Sequence, residues 1–171
     1  VLLLVNVLPS SAKFGLLYWK GRNGLPGASA FTRHGPTDPR IDMPALTKHV
    51  GPLPTDPVEQ NATWYRLYRQ VQDEPTVRDA HGSSLLYRDM AAMSVILAVT
   101  VPALIYWTTG DLARTGLAFA IFAGQYVLTA ASGRAAGTRF VCNVLAEHSI
   151  RKVPAKSAAA PRKSRAKPPA P

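Results

Sequence analysis

Two long apolar runs dominate the second half of the chain. Residues 90–107 form an uncharged run of 18 residues that includes Val95, Ile96, Leu97, Val99, Val101, Leu104 and Ile105. As a helix rising about 1.5 Å per residue it is long enough to cross the hydrocarbon of a bilayer. Those seven residues favour insertion by roughly 2–4 kcal/mol, partly offset by Ser94, Thr100 and Pro102. A break at Thr108-Thr109-Gly110-Asp111 follows, and 112–131 forms a second apolar segment. Its single charge, Arg114, falls in the first turn, where a long side chain can reach the headgroups. Tyr106 and Trp107 fall where amphipathic rings favour the interface. The alternative, two buried helices in a soluble fold, needs polar faces to cover both cylinders, and the first half of the chain offers few residues for that shell.

The remaining pattern is shorter and more polar. Residues 20–55 are broken by Asn23-Gly24, Pro26-Gly27, Gly35-Pro36, Asp38-Pro39 and Gly51-Pro52, which predicts loops with at most short elements. GPTDP at 35–39 and GPLPTDP at 51–57 echo each other, and each Asp-Pro can place a capping carboxylate before a helix. In the second copy Glu59 completes a capping box, predicting a helix from Pro57 to about Gln72 with Val58, Ala62, Tyr65, Tyr68 and Val71 on its apolar side, widened by Trp64 and Leu67. Asp73-Glu74-Pro75 opens another helix that passes Val77, His81 and Leu85 and enters the first span. Beyond the second span, 134–148 reads as a helix whose apolar side is Phe140, Val141, Val144 and Leu145, packed on the preceding helices or laid on the membrane. At the start, VLLLVNVL over 1–8 is too short to span; it suits the last turns of an upstream transmembrane helix continuing to Trp19, a signal-peptide core, or a short buried element.

The expected fold is therefore all-α: an integral membrane protein with an antiparallel two-helix transmembrane hairpin at 90–131. A loop-rich cytoplasmic helical region (20–89), a juxtamembrane helix (132–149), a disordered basic tail (150–171) and a possible helix remnant (1–19) complete it. Small residues recur every four positions on both spans, Ser94, Ala98 and Pro102 on the first and Gly116, Ala120 and Gly124 on the second. They allow close packing either with each other or in a homo-oligomer.

Charge adds orientation. The chain of 171 residues carries 20 Lys+Arg against 10 Asp+Glu, a formal charge of +10. Seven of the cations, Arg151, Lys152, Lys156, Arg162, Lys163, Arg165 and Lys167, lie in a Pro- and Ala-rich tail without an acid. Such a tail is expected to be disordered and to contact anionic headgroups, or nucleic acid nonspecifically. Arg78 and Arg88 before the first span, with Arg134, Arg139, Arg151 and Lys152 after the second, place both ends on the cytoplasmic side of an inner membrane. A hairpin also brings Arg88 and Asp89 near Arg134 and Arg139, so that their charges can pair.

Candidate chemistry is sparse. His34, His49, His81 and His148 form no metal-ligand spacing, and no cofactor is implied. Arg33-His34 followed by Asp38 and Asp42 could form an acid/base cluster, and an enzyme acting on an interfacial substrate would use His34, Asp38 and Asp42, although carboxylates beside Asp-Pro turns usually cap amides. Cys142 has no Cys partner; a small apolar role and juxtamembrane acylation both fit. The pattern favours an interaction or regulatory component anchored in the membrane, with a protein partner or a second copy, over an enzyme or a nucleic-acid tether.

The combination of Leu-Pro-Thr-Asp-Pro (53–57), Glu-Gln-Asn (59–61), Trp64-Tyr65, Tyr87-Arg88-Asp89-Met90 and Gly137-Thr138-Arg139-Phe140-Val141 resembles uncharacterised bacterial multi-spanning inner-membrane proteins. In those proteins a cytoplasmic segment lies between an early helix pair and a later one. The resemblance covers most of 14–148, and it implies a helical membrane fold but no activity or site.

Overall fold

The computed structural model describes residues 9–19 and 25–150, and every regular element among them is helical. Helix α1 is Ser10–Tyr18, α2 is Met43–Val50, α3 is Pro57–Val71, α4 is Pro75–Thr109 and α5 is Leu112–Ile150. Between α1 and α2 the chain coils irregularly through tight helical turns over residues 26–37. The basic tail and residues 1–8 lie outside the described residues, and with them the expectations for Arg151, Lys152, Lys156, Arg162, Lys163, Arg165, Lys167 and the first eight residues of the 1–19 helix remnant, whose described part holds α1.

Two helices organise everything else. At about 1.5 Å per residue, the 35 residues of α4 and 39 of α5 give cylinders about 52 and 58 Å long. They run antiparallel and pack along their length. Gly110 makes the reversal by adopting φ 64°, a left-handed conformation that costs a glycine little, and its N–H closes α4 on the Tyr106 carbonyl. Asp111 then caps α5, its carboxylate accepting from the amides of Ala113 at 2.9 Å and Arg114 at 3.1 Å. Pro102 lies inside α4, which continues to Thr109. The juxtamembrane helix expected over 132–149 is not a separate element, because α5 has no break after the apolar segment.

The small-residue stripes do not face one another. Ser94, Ala98 and Pro102 are buried against α5. Gly116, Ala120 and Gly124 are exposed, and a Cβ on either glycine would meet nothing within 4 Å. On α5 the covered positions at that level are larger or polar residues, Phe122, Tyr126 and Thr129, rather than the small-residue stripe.

The core sits at the end of the pair farthest from Gly110. Trp64, Leu67 and Val71 of α3, Leu46 of α2, Phe31, Val77 of α4, and Phe140, Val141, Val144 and Leu145 of α5 form one buried cluster. The buried side of α3 is thus Gln60, Trp64, Leu67 and Val71, while Val58 and Tyr65 point outward. That stripe is rotated from the one expected because a buried polar residue anchors its first turn. Gln60 Oε1 accepts from the amides of Phe31 at 3.1 Å and Thr32 at 3.3 Å, and Gln60 Nε2 donates to the Thr55 carbonyl at 2.8 Å. These bonds satisfy backbone groups of the irregular segment that no regular helix satisfies. His148 Nε2 donates to the Leu67 carbonyl at 2.9 Å, and Asn143 Nδ2 donates to the Thr76 carbonyl at 3.0 Å, tying α5 to α3 and to the start of α4.

The two Asp-Pro echoes behave differently. Asp56 caps α3 as expected, accepting from Val58 and Glu59 amides at 2.9 and 3.1 Å. Asp38 starts no helix; the next begins at Met43 with Asp42 as its cap, accepting from the Ala45 amide at 2.9 Å. Replacing Gln60 with Leu, of similar size, leaves the Phe31 amide without an acceptor. The expected cost is about 1–3 kcal/mol, read as a lower thermal unfolding midpoint of the full chain in detergent micelles. An unchanged midpoint would show that Gln60 does not hold the segment.

Candidate functional site: a collar at the root of the helix pair

Where the packed end meets the apolar helices, α1 lies across both α4 and α5. Its approach depends on two glycines. A Cβ at Gly133 would stand 2.5 Å from Leu17 Cδ1, and one at Gly137 would collide with the Tyr18 hydroxyl. Gly133 and Gly137 therefore form the contact that small residues four apart are suited to make. Leu17, fully buried, packs there with Ala91 and Ala130.

Around this contact lies a ring of charged and aromatic side chains. Lys13, only 5% exposed, places Nζ 3.2 Å from Asp89 Oδ1. Arg88 Nη2 reaches the same carboxylate oxygen at 2.9 Å, and its guanidinium lies over the Phe14 ring, 5.5 Å from the centroid. Across the pair, Arg134 Nε donates to the Leu17 carbonyl at 2.7 Å while its guanidinium stacks 4.0 Å from the Trp19 ring centroid. Trp19 ends α1 at φ 50°, an unusual conformation for a residue with a large side chain. Three contacts hold it there: the Arg134 stack, its own Nε1 donating to the Tyr126 hydroxyl at 2.6 Å, and that hydroxyl donating to the Leu16 carbonyl at 2.7 Å.

The four boundary charges therefore have partners different from those expected. Asp89 pairs with Lys13 and with its neighbour Arg88, rather than with Arg134 or Arg139. Arg134 binds backbone and indole, and Arg139 is exposed on α5. The physical reason is the intervention of α1, whose lysine reaches the carboxylate and whose Leu17 carbonyl accepts from the arginine. A Gly-x-x-x-Gly at 133–137 was the available signal for that docking, and Lys13 in an otherwise apolar stretch was the other.

Below the collar a cavity of about 310 Å³ is lined mainly by Phe14, Trp64, Tyr68, His81, Leu85 and Phe140. The Tyr68 hydroxyl and His81 Nδ1 share a hydrogen bond of 3.1 Å, and His81 stacks on Phe140 with centroids 4.9 Å apart. Its size is at the small end for ligand pockets, and its walls suit an apolar or aromatic group.

The acid/base cluster is not assembled. Asp42 is the cap of α2, Asp38 accepts from Arg40 Nη2 at 2.7 Å, and His34 Nε2 shares a 3.1 Å hydrogen bond with Ser29 Oγ. Among the described residues no hydrogen bond joins any two of His34, Asp38 and Asp42, and no three metal-ligating side chains converge. Arg40 holds the Asp38 carboxyl down at about 2. Cys142 is buried in the core, where loss of solvent and the nearby Asp38 push its thiol up to about 11, the opposite of an activated nucleophile.

The chain matches no protein-family model, no characterised protein and no solved structure. The likeness to multi-spanning bacterial proteins thus rests on its motifs alone.

Two predictions follow from the collar and the cavity. Asp89→Asn removes the carboxylate shared by the buried Lys13 and Arg88, with an expected cost of about 1–3 kcal/mol and faster protease cleavage between α1 and α2. Unaltered cleavage would show that the pair does not hold α1. Burial first, and then the charge of Arg88, lowers the His81 pKa below 6.5, and burial followed by Arg33 lowers that of His34. Such groups bind more protons unfolded, so the stability they provide is complete above pH 6.5 and falls as pH drops below it. The urea midpoint should decrease from pH 7.5 to about 5.5, less steeply in His81→Gln; identical slopes would exclude His81 as a source.

Proposed function

We propose that this chain is an integral protein of the inner (cytoplasmic) membrane, with α4 and α5 crossing the bilayer over 90–131 and the packed end, the collar and the basic tail on the cytoplasmic side. Its work in this reading is interaction: the packed end, held at a fixed height by the collar, anchors or regulates a protein partner at the membrane face.

One observation carries the reading. Between the collar and Gly110 the two helices expose apolar side chains around most of their circumference, including Val99 and Leu117 at 64%, Leu128 at 71% and Trp107 at 88%. Only 28% of the most apolar window of α4 and 17% of that of α5 is buried. Core helices of a soluble protein are covered on all sides by protein, and these are not. The span from Asp89 to Gly110 is about 31 Å along α4, close to the ~30 Å of hydrocarbon in a bilayer. Charges and amphipathic rings stand at both ends of it, Lys13, Arg88, Arg134 and Trp19 at one and Asp111, Arg114, Tyr106 and Trp107 at the other. The excess of arginine at the collar end supports the cytoplasmic orientation, and the seven tail cations favour contact with anionic headgroups.

Of the side chains that an interfacial enzyme would use, Asp42 is engaged in a cap, Asp38 in an ion pair and His34 in a hydrogen bond to Ser29, which favours the interaction role. Single cysteines at Asp111 and Arg139 in a Cys142→Ala background test the arrangement in intact cells. Expected is labelling by a membrane-impermeant maleimide at 111 from outside and at 139 only after lysis. Labelling of both, or of neither, before and after lysis would overturn the proposed crossing.

A further inference from the structure

Polar side chains within the exposed apolar part of the helix pair are nearly all satisfied locally. The hydroxyls of Ser94, Thr100, Thr108, Thr109, Thr115 and Thr129 each donate to a carbonyl one turn earlier. Gln125 differs. It is exposed on α5, its backbone carbonyl accepts from Thr129 Oγ1 at 2.9 Å, and its carboxamide makes no hydrogen bond among the described residues. With a rise of about 1.5 Å per residue it lies about 14 Å from Arg134 and about 21 Å from Asp111 along the helix. In the membrane reading proposed above, on which this inference rests, that position is inside the hydrocarbon.

A carboxamide without a partner is strongly disfavoured in lipid. It offers both a donor and an acceptor, so an identical carboxamide related by a two-fold axis completes both bonds at once. The surroundings suit such a contact. Leu117, Ile121, Gly124 and Leu128 recur at spacings of three and four beside Gln125 and are all exposed. The absence of a side chain at Gly124, where a Cβ would meet nothing within 4 Å, allows two backbones to approach. We propose that Gln125, at the edge of the exposed face formed by Leu117, Ile121, Gly124 and Leu128, takes part in a symmetric contact between two copies of this chain in the bilayer, each carboxamide bonding the other as those faces pack. This differs from the contact expected from Gly116, Ala120 and Gly124, which shares only Gly124 with it.

The test uses the full chain, labelled at its amino terminus with donor or acceptor dye and incorporated in phosphatidylcholine vesicles containing phosphatidylglycerol. Vesicles are floated on a density gradient, and energy transfer is measured as lipid is added. The expected result is protein in the lipid layer, with transfer that declines on dilution. Gln125→Leu should weaken association about tenfold, Gln125→Asn should retain most of it, and Phe119→Leu, on another side of α5, should change nothing. Equal transfer in wild type and Gln125→Leu, or no transfer at any dilution with the protein still in the lipid layer, would overturn the dimer while leaving the membrane reading intact. Protein remaining in the aqueous layer would overturn both.

Discussion

A helix packed against one neighbour covers a single stripe of its surface, and the rest must meet solvent. For α4 and α5 that uncovered surface is apolar between the collar and Gly110, whereas beyond the collar α1 lies on both helices and α5 also packs against α2, α3 and the irregular segment. The distinction between the two ends is therefore one of surroundings. Apart from the amide hydrogen that Pro102 lacks, the helical backbone carries its own hydrogen bonds, so the uncovered part needs a medium that tolerates its side chains. In the proposed reading lipid supplies that medium, and the protein is divided at the collar into a part solvated by hydrocarbon and a part with its own core.

The collar gives that division a physical edge. Lys13, Arg88 and Asp89 concentrate charge on one side, while Arg134 and Trp19 do so on the other. Since α1 supplies a lysine, an indole and two accepting carbonyls, it sets where charge can accumulate as much as α4 and α5 do. Gly133 and Gly137 make this possible by letting Leu17 and Tyr18 sit directly on the α5 backbone. A partner docking on the packed end would meet a surface whose height above the apolar region is fixed by these contacts.

Much of the helical framework is legible in the sequence because its signals are local. Asp56-Pro57, Glu74-Pro75 and Gly110-Asp111 mark helix ends through capping and backbone chemistry, and the structure has helices beginning or ending at each. The features that local signals do not carry depend on neighbours distant in the chain. The buried side of α3 is set by Gln60 meeting Phe31 and Thr32, an arrangement that no periodicity of apolar residues contains. Small residues at spacings of four mark a stripe on each of α4 and α5, but spacing alone does not say what each one faces. Asp89 meets Lys13, far away in sequence, and its neighbour Arg88 rather than Arg134 or Arg139. Of the proposed chemical cluster, the capping role of Asp42 was legible from its position before Met43-Pro44, and Asp38 took a neighbouring arginine instead.

The central claim is that hydrocarbon surrounds the helix pair between the collar and Gly110. Spin labels placed singly at Val99, Leu104, Leu117, Ile121 and Leu128 in vesicle-bound protein test it most directly, through their relative accessibility to oxygen and to a water-soluble nickel chelate. The prediction is high oxygen and low nickel accessibility at all five positions, with the deepest values midway between Asp89 and Gly110, and the reverse at Tyr65 on the packed end. High nickel accessibility along the five apolar positions would contradict it.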